Sequence, residues 1–343
     1  MWQIVGQSKV VSYFKKCLET GLLAHAYLFI GPHHVGKMQL AINVAQALNC
    51  QEDKPPCSEC NSCQKIAQGK HVDVQVLSVD SNLEKNKSTN KAEIGIEKIR
   101  QIQRAANLPP FEGKYKLFII DGADLLSLEA ANCLLKTLEE PYNKVLFLLL
   151  AKTTKTVPPT VISRCQQLTL MPLAVDEAEK ALIDLHGVQK QKARLLSTLS
   201  KGCIGWAIST LKDKKLLEHY YEDREVILDM IHADYEERFI YATRLADQYK
   251  RNREITQEVL KGWVEIWRDI LLIKTGINKA ITNIDIQKRL EQLSRDMNLC
   301  DIRYFINDIL VTMINLRKNV NARLAIEAMM MNIPERAQVK GGS

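Results

Sequence analysis

The run Ala26-Tyr-Leu-Phe-Ile30 leads straight into Gly31-Pro-His-His-Val-Gly-Lys37, and that loop into a segment with apolar residues at helical spacing. An apolar strand, a glycine-framed loop and a helix form one unit, and such a unit needs a sheet to sit in. The apolar runs Val74-Val79, Lys116-Ile120 and Val145-Ala151 supply further strands. Helical patterns over Lys9-Thr20, Met38-Leu48, Ile94-Ala106 and Leu126-Glu139 fall between them. Strands alternating with helices predict an α/β domain: a parallel sheet with helices on both faces. Right-handed crossovers then place loops such as Gly31 to Lys37 at the carboxyl ends of the strands, where ligands bind.

Beyond about residue 170 the strand signals stop. Helical patterns broken at Gly187 and Gly202 are followed by an almost continuous helical stretch from Leu216 to about Met331. The chain is therefore expected to hold three domains: α/β over 1–170, a small helical domain over 171–213 and a helical domain over 214–336. Residues 337–343 read as a disordered tail. Trp263 and Trp267 fall four apart on one helical face and read as packing rather than as a platform for stacked bases.

The net charge of +7 permits contact with nucleic acid without requiring it. The N-terminus lacks the apolar core of a secretory signal, and the longest apolar run, Val145-Ala151, is too short to span a bilayer. A cytoplasmic protein is expected, with no membrane contact. In a reducing compartment its nine cysteines need a reason other than disulfides.

Four of them supply one. Cys50, Cys57, Cys60 and Cys63 lie within 14 residues, two C-x-x-C steps sharing Cys60. This pattern fits a structural zinc site with tetrahedral thiolates. An iron–sulfur cluster competes, because C-x2-C-x2-C also begins the bacterial ferredoxin pattern, although the Cys-Pro that completes it is absent. The pattern is also compatible with free thiols, or with a ligand set in which His71 takes the place of Cys50. Cys17, Cys133, Cys165, Cys203 and Cys300 are scattered, and most read as small core residues.

The loop Gly31 to Met38 has the frame G-x-x-x-x-G-K-[ST] except for its last residue. A working loop aims backbone N–H groups at phosphates, brings a lysine to the terminal phosphates and holds Mg²⁺ with a hydroxyl. Gly31, Gly36 and Lys37 are present after a strand and before a helix. Met38 offers a soft thioether to a hard cation, so magnesium would lose a ligand. Asp121, at the end of a strand, can still face such a site, but the next residue, Gly122, has no side chain to orient an attacking water. Seven histidines form no metalloprotease pattern, and no G-x-S-x-G elbow is present. Glu139-Glu140, before Pro141, reads as a solvated helix end rather than a catalytic pair.

Ile4-Val-Gly-Gln7, His25-Ala-Tyr-Leu-Phe29, Asn132-Cys-Leu-Leu-Lys-Thr-Leu-Glu-Glu-Pro141 and Ser163-Arg-Cys165 together resemble bacterial clamp-loader subunits, the AAA+ proteins that serve DNA polymerase III. The likeness is strong over the first 170 residues, including the cysteine module, and weaker beyond. It implies an AAA+ P-loop domain with a zinc-binding insertion, a helical lid and an all-α collar. It implies partners too: other loader subunits of the gamma/tau and delta types in a hetero-pentamer, and through them a sliding clamp and primer–template DNA. Catalytic members carry a complete loop, an Asp-Glu pair and a lid arginine. Here His34 stands at a loop glycine, Met38 at the hydroxyl, Gly122 at the glutamate and Gly205 at the lid arginine. The resemblance thus implies a subunit that does not hydrolyse ATP and binds it weakly or not at all. Ser163, Arg164 and Cys165 are intact, and in this family that arginine reaches the ATP of a neighbouring subunit. The competing reading is a hydrolysing motor subunit or another active AAA+ ATPase. Lys98, Arg100 and Arg104 read equally as a surface facing DNA and as a solvated helix face.

Overall fold

The computed structural model describes residues 2–78, 93–318 and 320–334. The chain divides into two compact units. Among the described residues the first holds 2–78, 93–190 and 200–207, and the second 191–199, 208–318 and 320–334. The expected tail, 337–343, lies outside the described residues.

The first unit is built on β1 (Ala26–Ile30), β2 (Val74–Leu77), β3 (Lys116–Asp121), β4 (Val145–Ala151) and β5 (Gln166–Thr169). All pair in parallel, in the order β2-β3-β4-β1-β5. The helices are α1 (Ser8–Thr20), α2 (Lys37–Asn49), α3 (Asn61–Ala67), α4 (Ile96–Ala106), α5 (Leu128–Glu139), α6 (Pro159–Ile162) and α7 (Val175–His186). Successive side chains alternate between the sheet faces. Ala26, Leu28, Phe118, Ile120, Phe147 and Leu149 pack with residues of α4, α5 and α6. Tyr27, Phe29, Leu117, Ile119, Leu146 and Leu148 pack with residues of α1, α2 and α3. Burial on both faces is why the central strands read as unbroken apolar runs.

The α/β expectation holds, with adjustments at the ends. The run Val74-Val79 pairs only to Leu77, and Val79 lies outside the described residues. Ile94 forms a bridge with Leu126 before α4 begins, and α5 begins at Leu128 behind the side-chain cap of Ser127. The edge strand β5 was not expected: Gln-Gln-Leu-Thr has no apolar run because most of it is exposed.

The chain leaves β1 toward β2 on one side and β4 toward β5 on the other. Their carboxyl ends therefore flank the crevice where sheets of this kind bind ligands.

Next in the chain come α8 (Lys190–Leu199), in the second unit apart from its first residue, and α9 (Ile204–Lys212), divided after Ala207. The second unit continues with α10 (Lys214–His232), α11 (Tyr235–Arg251), α12 (Arg253–Lys274), α13 (Gln287–Arg295), α14 (Leu299–Arg317) and α15 (Ala322–Met331). Trp263 and Trp267 are fully buried, and the ring of Trp267 meets Phe305 edge-on at 4.6 Å. They are packing residues, as their spacing predicts. No helix among the described residues is long and apolar enough to cross a membrane.

Candidate functional site

The loop after β1 is tied at its start to the end of β4, where the Gly31 N–H donates to the Ala151 carbonyl at 3.1 Å. It turns through left-handed backbone at His34 (φ 59°) and Gly36 (φ 104°). A side chain at the first of these carries a cost of roughly 1–2 kcal/mol. Lys37 opens α2, and its Nζ donates to the carbonyl oxygens of Gly31 at 2.6 Å and Pro32 at 2.7 Å. Burial lowers its pKa, while Asp121 and Asp124 draw it back up. The ammonium that would meet phosphates is held by the loop's own oxygens. Met38 packs against the core between α1, α2 and the sheet.

Asp121 ends β3 level with Leu150. Gly122 follows with φ 96° and ψ 46°. A glutamate would be strained in this left-handed backbone, so the departure lies in the main chain as well as the side chain. Gly205 donates its N–H to the His34 carbonyl at 2.9 Å, and a Cβ there would fall 2.6 Å from that oxygen. The structure thus gathers Gly31, Gly36, Lys37 and Asp121 around one crevice, with backbone of α9 set against the loop.

Ser163, Arg164 and Cys165 join α6 to β5, and the three do different work. Cys165 is buried in the core with α4, α5 and α6, and burial pushes its thiol up to about 12. Ser163 Oγ donates to the Thr160 carbonyl at 3.1 Å and accepts from Arg164 Nη1 at 3.2 Å. Nη1 also donates to the Thr160 carbonyl at 2.9 Å, and Nη2 lies 2.5 Å from Glu139 Oε1. The arginine side chain is still 34% exposed.

The sulfurs of Cys50, Cys57, Cys60 and Cys63 all lie within 4.8 Å of one another, and those of Cys57 and Cys63 are 3.8 Å apart. Sulfurs bound about 2.3 Å from one tetrahedral ion stand about 3.8 Å apart. A cluster of several irons would spread its thiolates wider. The cysteines can therefore hold a metal ion such as zinc. N–H groups of Cys60 and Glu59 draw the Cys57 thiol down to about 6, while burial raises that of Cys63. His71 is not part of the cluster: its Nδ1 accepts the Asp73 N–H at 3.1 Å, and its Nε2 faces Glu112.

Sequence reasoning missed three residues. Glu139 is no merely solvated helix end, since it pairs with Arg164. Asp73 is fully buried and accepts the N–H groups of Phe111, Glu112 and Gly113, each at 2.8 Å. Lys116, also buried, donates to the Ala105 carbonyl at 3.0 Å and the Leu108 carbonyl at 3.2 Å. Each meets its partners across a gap in sequence that periodicity does not report. On α4, Arg104 is exposed, Lys98 is half-buried and Arg100 pairs with Glu97 at 2.7 Å.

A family model described as DNA polymerase III, delta subunit, matches residues 6–174. Over 336 residues the chain is 26% identical to DNA polymerase III subunit delta' of Bacillus subtilis, with 96% of each covered. It is 27% identical over 353 residues to DNA polymerase III subunit tau of Escherichia coli, covering 96% of this chain and 52% of that one. It thus spans about half of that tau subunit. A crystal structure of a DNA polymerase III gamma subunit-related protein from Thermotoga maritima aligns with TM-score 0.42 and 16% identity, covering 95% of this chain and 99% of that one.

Proposed function

The chain belongs to the clamp-loader family of AAA+ proteins, and from that membership we propose that it is a delta prime type subunit of a DNA polymerase III clamp loader that does not hydrolyse ATP itself. It works in DNA replication. Residues 1–170 form its AAA+ domain, 171–213 its lid and 214–336 the collar that joins it to gamma/tau and delta type subunits in a ring of five. The assembly opens a sliding clamp and places it on primed DNA. Arg164 serves that assembly in trans, at the ATP of a neighbouring subunit.

The contrast between two cations carries this reading. Lys37 is engaged by the Gly31 and Pro32 carbonyls of its own loop. Arg164 is also held, by the Thr160 carbonyl, Ser163 and Glu139, but its side chain stays a third exposed and stands in an intact Ser-Arg-Cys motif. A guanidinium is always charged and forks onto phosphate oxygens, which suits charge that develops during phosphoryl transfer. Met38, Gly122 and Gly205 weigh against a hydrolysing motor subunit. Cys50, Cys57, Cys60 and Cys63 hold a structural zinc, which ties together a segment too polar to fold by burial alone.

Equilibrium binding of labelled ATP to the purified chain, followed by a turnover assay, tests the first half. Turnover abolished by Lys37→Ala overturns it. Arg164→Ala in the reconstituted loader tests the second half. An arginine finger contributes about 10³-fold or more to hydrolysis at its junction. Unchanged DNA-stimulated ATPase rules the trans role out.

A further inference from the structure

We propose that Glu139 is the positioning residue for Arg164, holding its guanidinium in the pose in which it meets a neighbouring subunit's ATP. This rests on the trans reading of Arg164 given above.

An arginine side chain carries about 2 kcal/mol of rotamer entropy, and a reacting group misplaced by about 1 Å can cost about a hundredfold in rate. An exposed arginine that must act on a partner therefore needs to be aimed before the partner arrives. Three groups aim this one. The Thr160 carbonyl and the Ser163 hydroxyl accept from Nη1, and Glu139 Oε1 stands 2.5 Å from Nη2 as an ion pair. The Nε–H makes no hydrogen bond to protein among the described residues, and the Nη2 hydrogens meet protein only through that ion pair. Those are the donors left for phosphate oxygens.

Both ends of the pair stand on firm ground. Glu139 is the last residue of α5, whose Ala130, Ala131, Leu134 and Leu138 are buried in the core that also takes Cys165 next to the arginine. The carboxylate and the guanidinium are thus fixed to one core from two directions. Glu139 is half exposed, so the pair is wet. A wet pair contributes little to stability, about 0–1 kcal/mol. Its effect lies in aim. It also leaves the charge of the guanidinium available to the stronger charge of a triphosphate.

Glu140 supplies the internal control. It is exposed, carries the same charge and makes no ion pair among the described residues. The test uses the loader reconstituted with its ATPase subunits, reading kcat and KM for ATP together with the melting temperature of the isolated chain. Glu139→Ala is expected to lose about tenfold in kcat at this junction, a part of what Arg164→Ala loses, with KM unchanged. Glu139→Gln keeps an acceptor oxygen and should recover most of the loss. Glu140→Ala should match the parent. The double variant Glu139→Ala/Arg164→Ala should be no worse than Arg164→Ala alone, because Glu139 acts only through the arginine. Parental kcat in Glu139→Ala beside an impaired Arg164→Ala overturns this inference and leaves the trans reading intact. Further loss in the double variant, or a lowered melting temperature in Glu139→Ala, assigns the residue to the fold and overturns it too. If Arg164→Ala is itself unimpaired, the trans reading falls and takes this inference with it.

Discussion

The N–H of Gly205 donates to the carbonyl oxygen of His34 at 2.9 Å. One main chain closes on another, and no side chain stands between them. The ideal Cβ of residue 205 would lie 2.6 Å from that same oxygen. The position at which the resemblance expects an arginine in catalytic members is here the contact itself. Restoring the arginine is therefore expected to open the contact rather than to restore catalysis. Overpacking of this sort costs about 1–3 kcal/mol. Gly205→Arg should melt at a lower temperature than the parent and show no ATP turnover. A variant that melts like the parent and hydrolyses ATP would refute the steric account.

Gly122 makes the same point in a different way. Its backbone is left-handed, at φ 96°, where an L side chain costs roughly 1–2 kcal/mol. A Cβ there would also sit 3.2 Å from Leu125 Cδ1. Gly122→Ala is expected to destabilise the chain by about that strain, and Gly122→Glu by at least as much, without turnover. Denaturant titration measures both. An alanine variant as stable as the parent would show that the turn relaxes freely.

Legibility in the sequence followed burial. The central strands β1, β3 and β4 are covered on both faces, and each announced itself as an apolar run. Edge strand β5, with Gln166 and Gln167 exposed, did not. Helix α3 was hidden inside the cysteine stretch: it is seven residues long, and its N-terminal cap is the Cys60 sulfur, which accepts the Cys63 N–H. The loop framed by Gly31 and Gly36 was legible as a turn between β1 and α2 because its glycines lie within one short motif. Glu139 was not, since its partner is distant in sequence and only the packing of α5 and α6 brings them together. Trp263 and Trp267 were legible because helical spacing alone puts both on one face.

Asp73 predicts how the first unit responds to acid. Burial alone would raise its pKa, but N–H groups of Phe111, Gly113 and Glu112 outweigh this and hold the carboxylate below its usual range. A group with a depressed folded-state pKa contributes stability above its unfolded value, about 3.9, and loses it as pH falls through the folded value. The segment 111–113 should therefore stay anchored at neutral pH and loosen only well below pH 4. Asp73→Asn replaces a charged acceptor and leaves N–H groups poorly matched, at a cost of roughly 1.5–3 kcal/mol. Its loss of stability should be large at pH 7 and shrink toward pH 3 in thermal melts. A loss independent of pH would mean that the charge on Asp73 is not what holds the segment.

The cysteine module predicts a metal-dependent fold of limited extent. Its sulfurs converge from the end of α2, a loop and the start of α3, where Ile66 packs in the core with α2 and the Gln46 amide donates to the Cys63 carbonyl at 2.9 Å. The sheet beneath is built from other side chains and is expected to stand without the metal. The purified chain should carry about one equivalent of zinc and be colourless. Removing the metal with a chelator, or Cys63→Ser, should speed amide exchange across residues 57–67 and leave that of β1, β3 and β4 unchanged. Lys65 of α3 pairs with Glu112 at 2.6 Å, so the segment held by Asp73 should loosen partly with it. Visible absorption with stoichiometric iron would overturn the zinc assignment. Unchanged exchange in metal-free protein would show that the thiols pack without an ion.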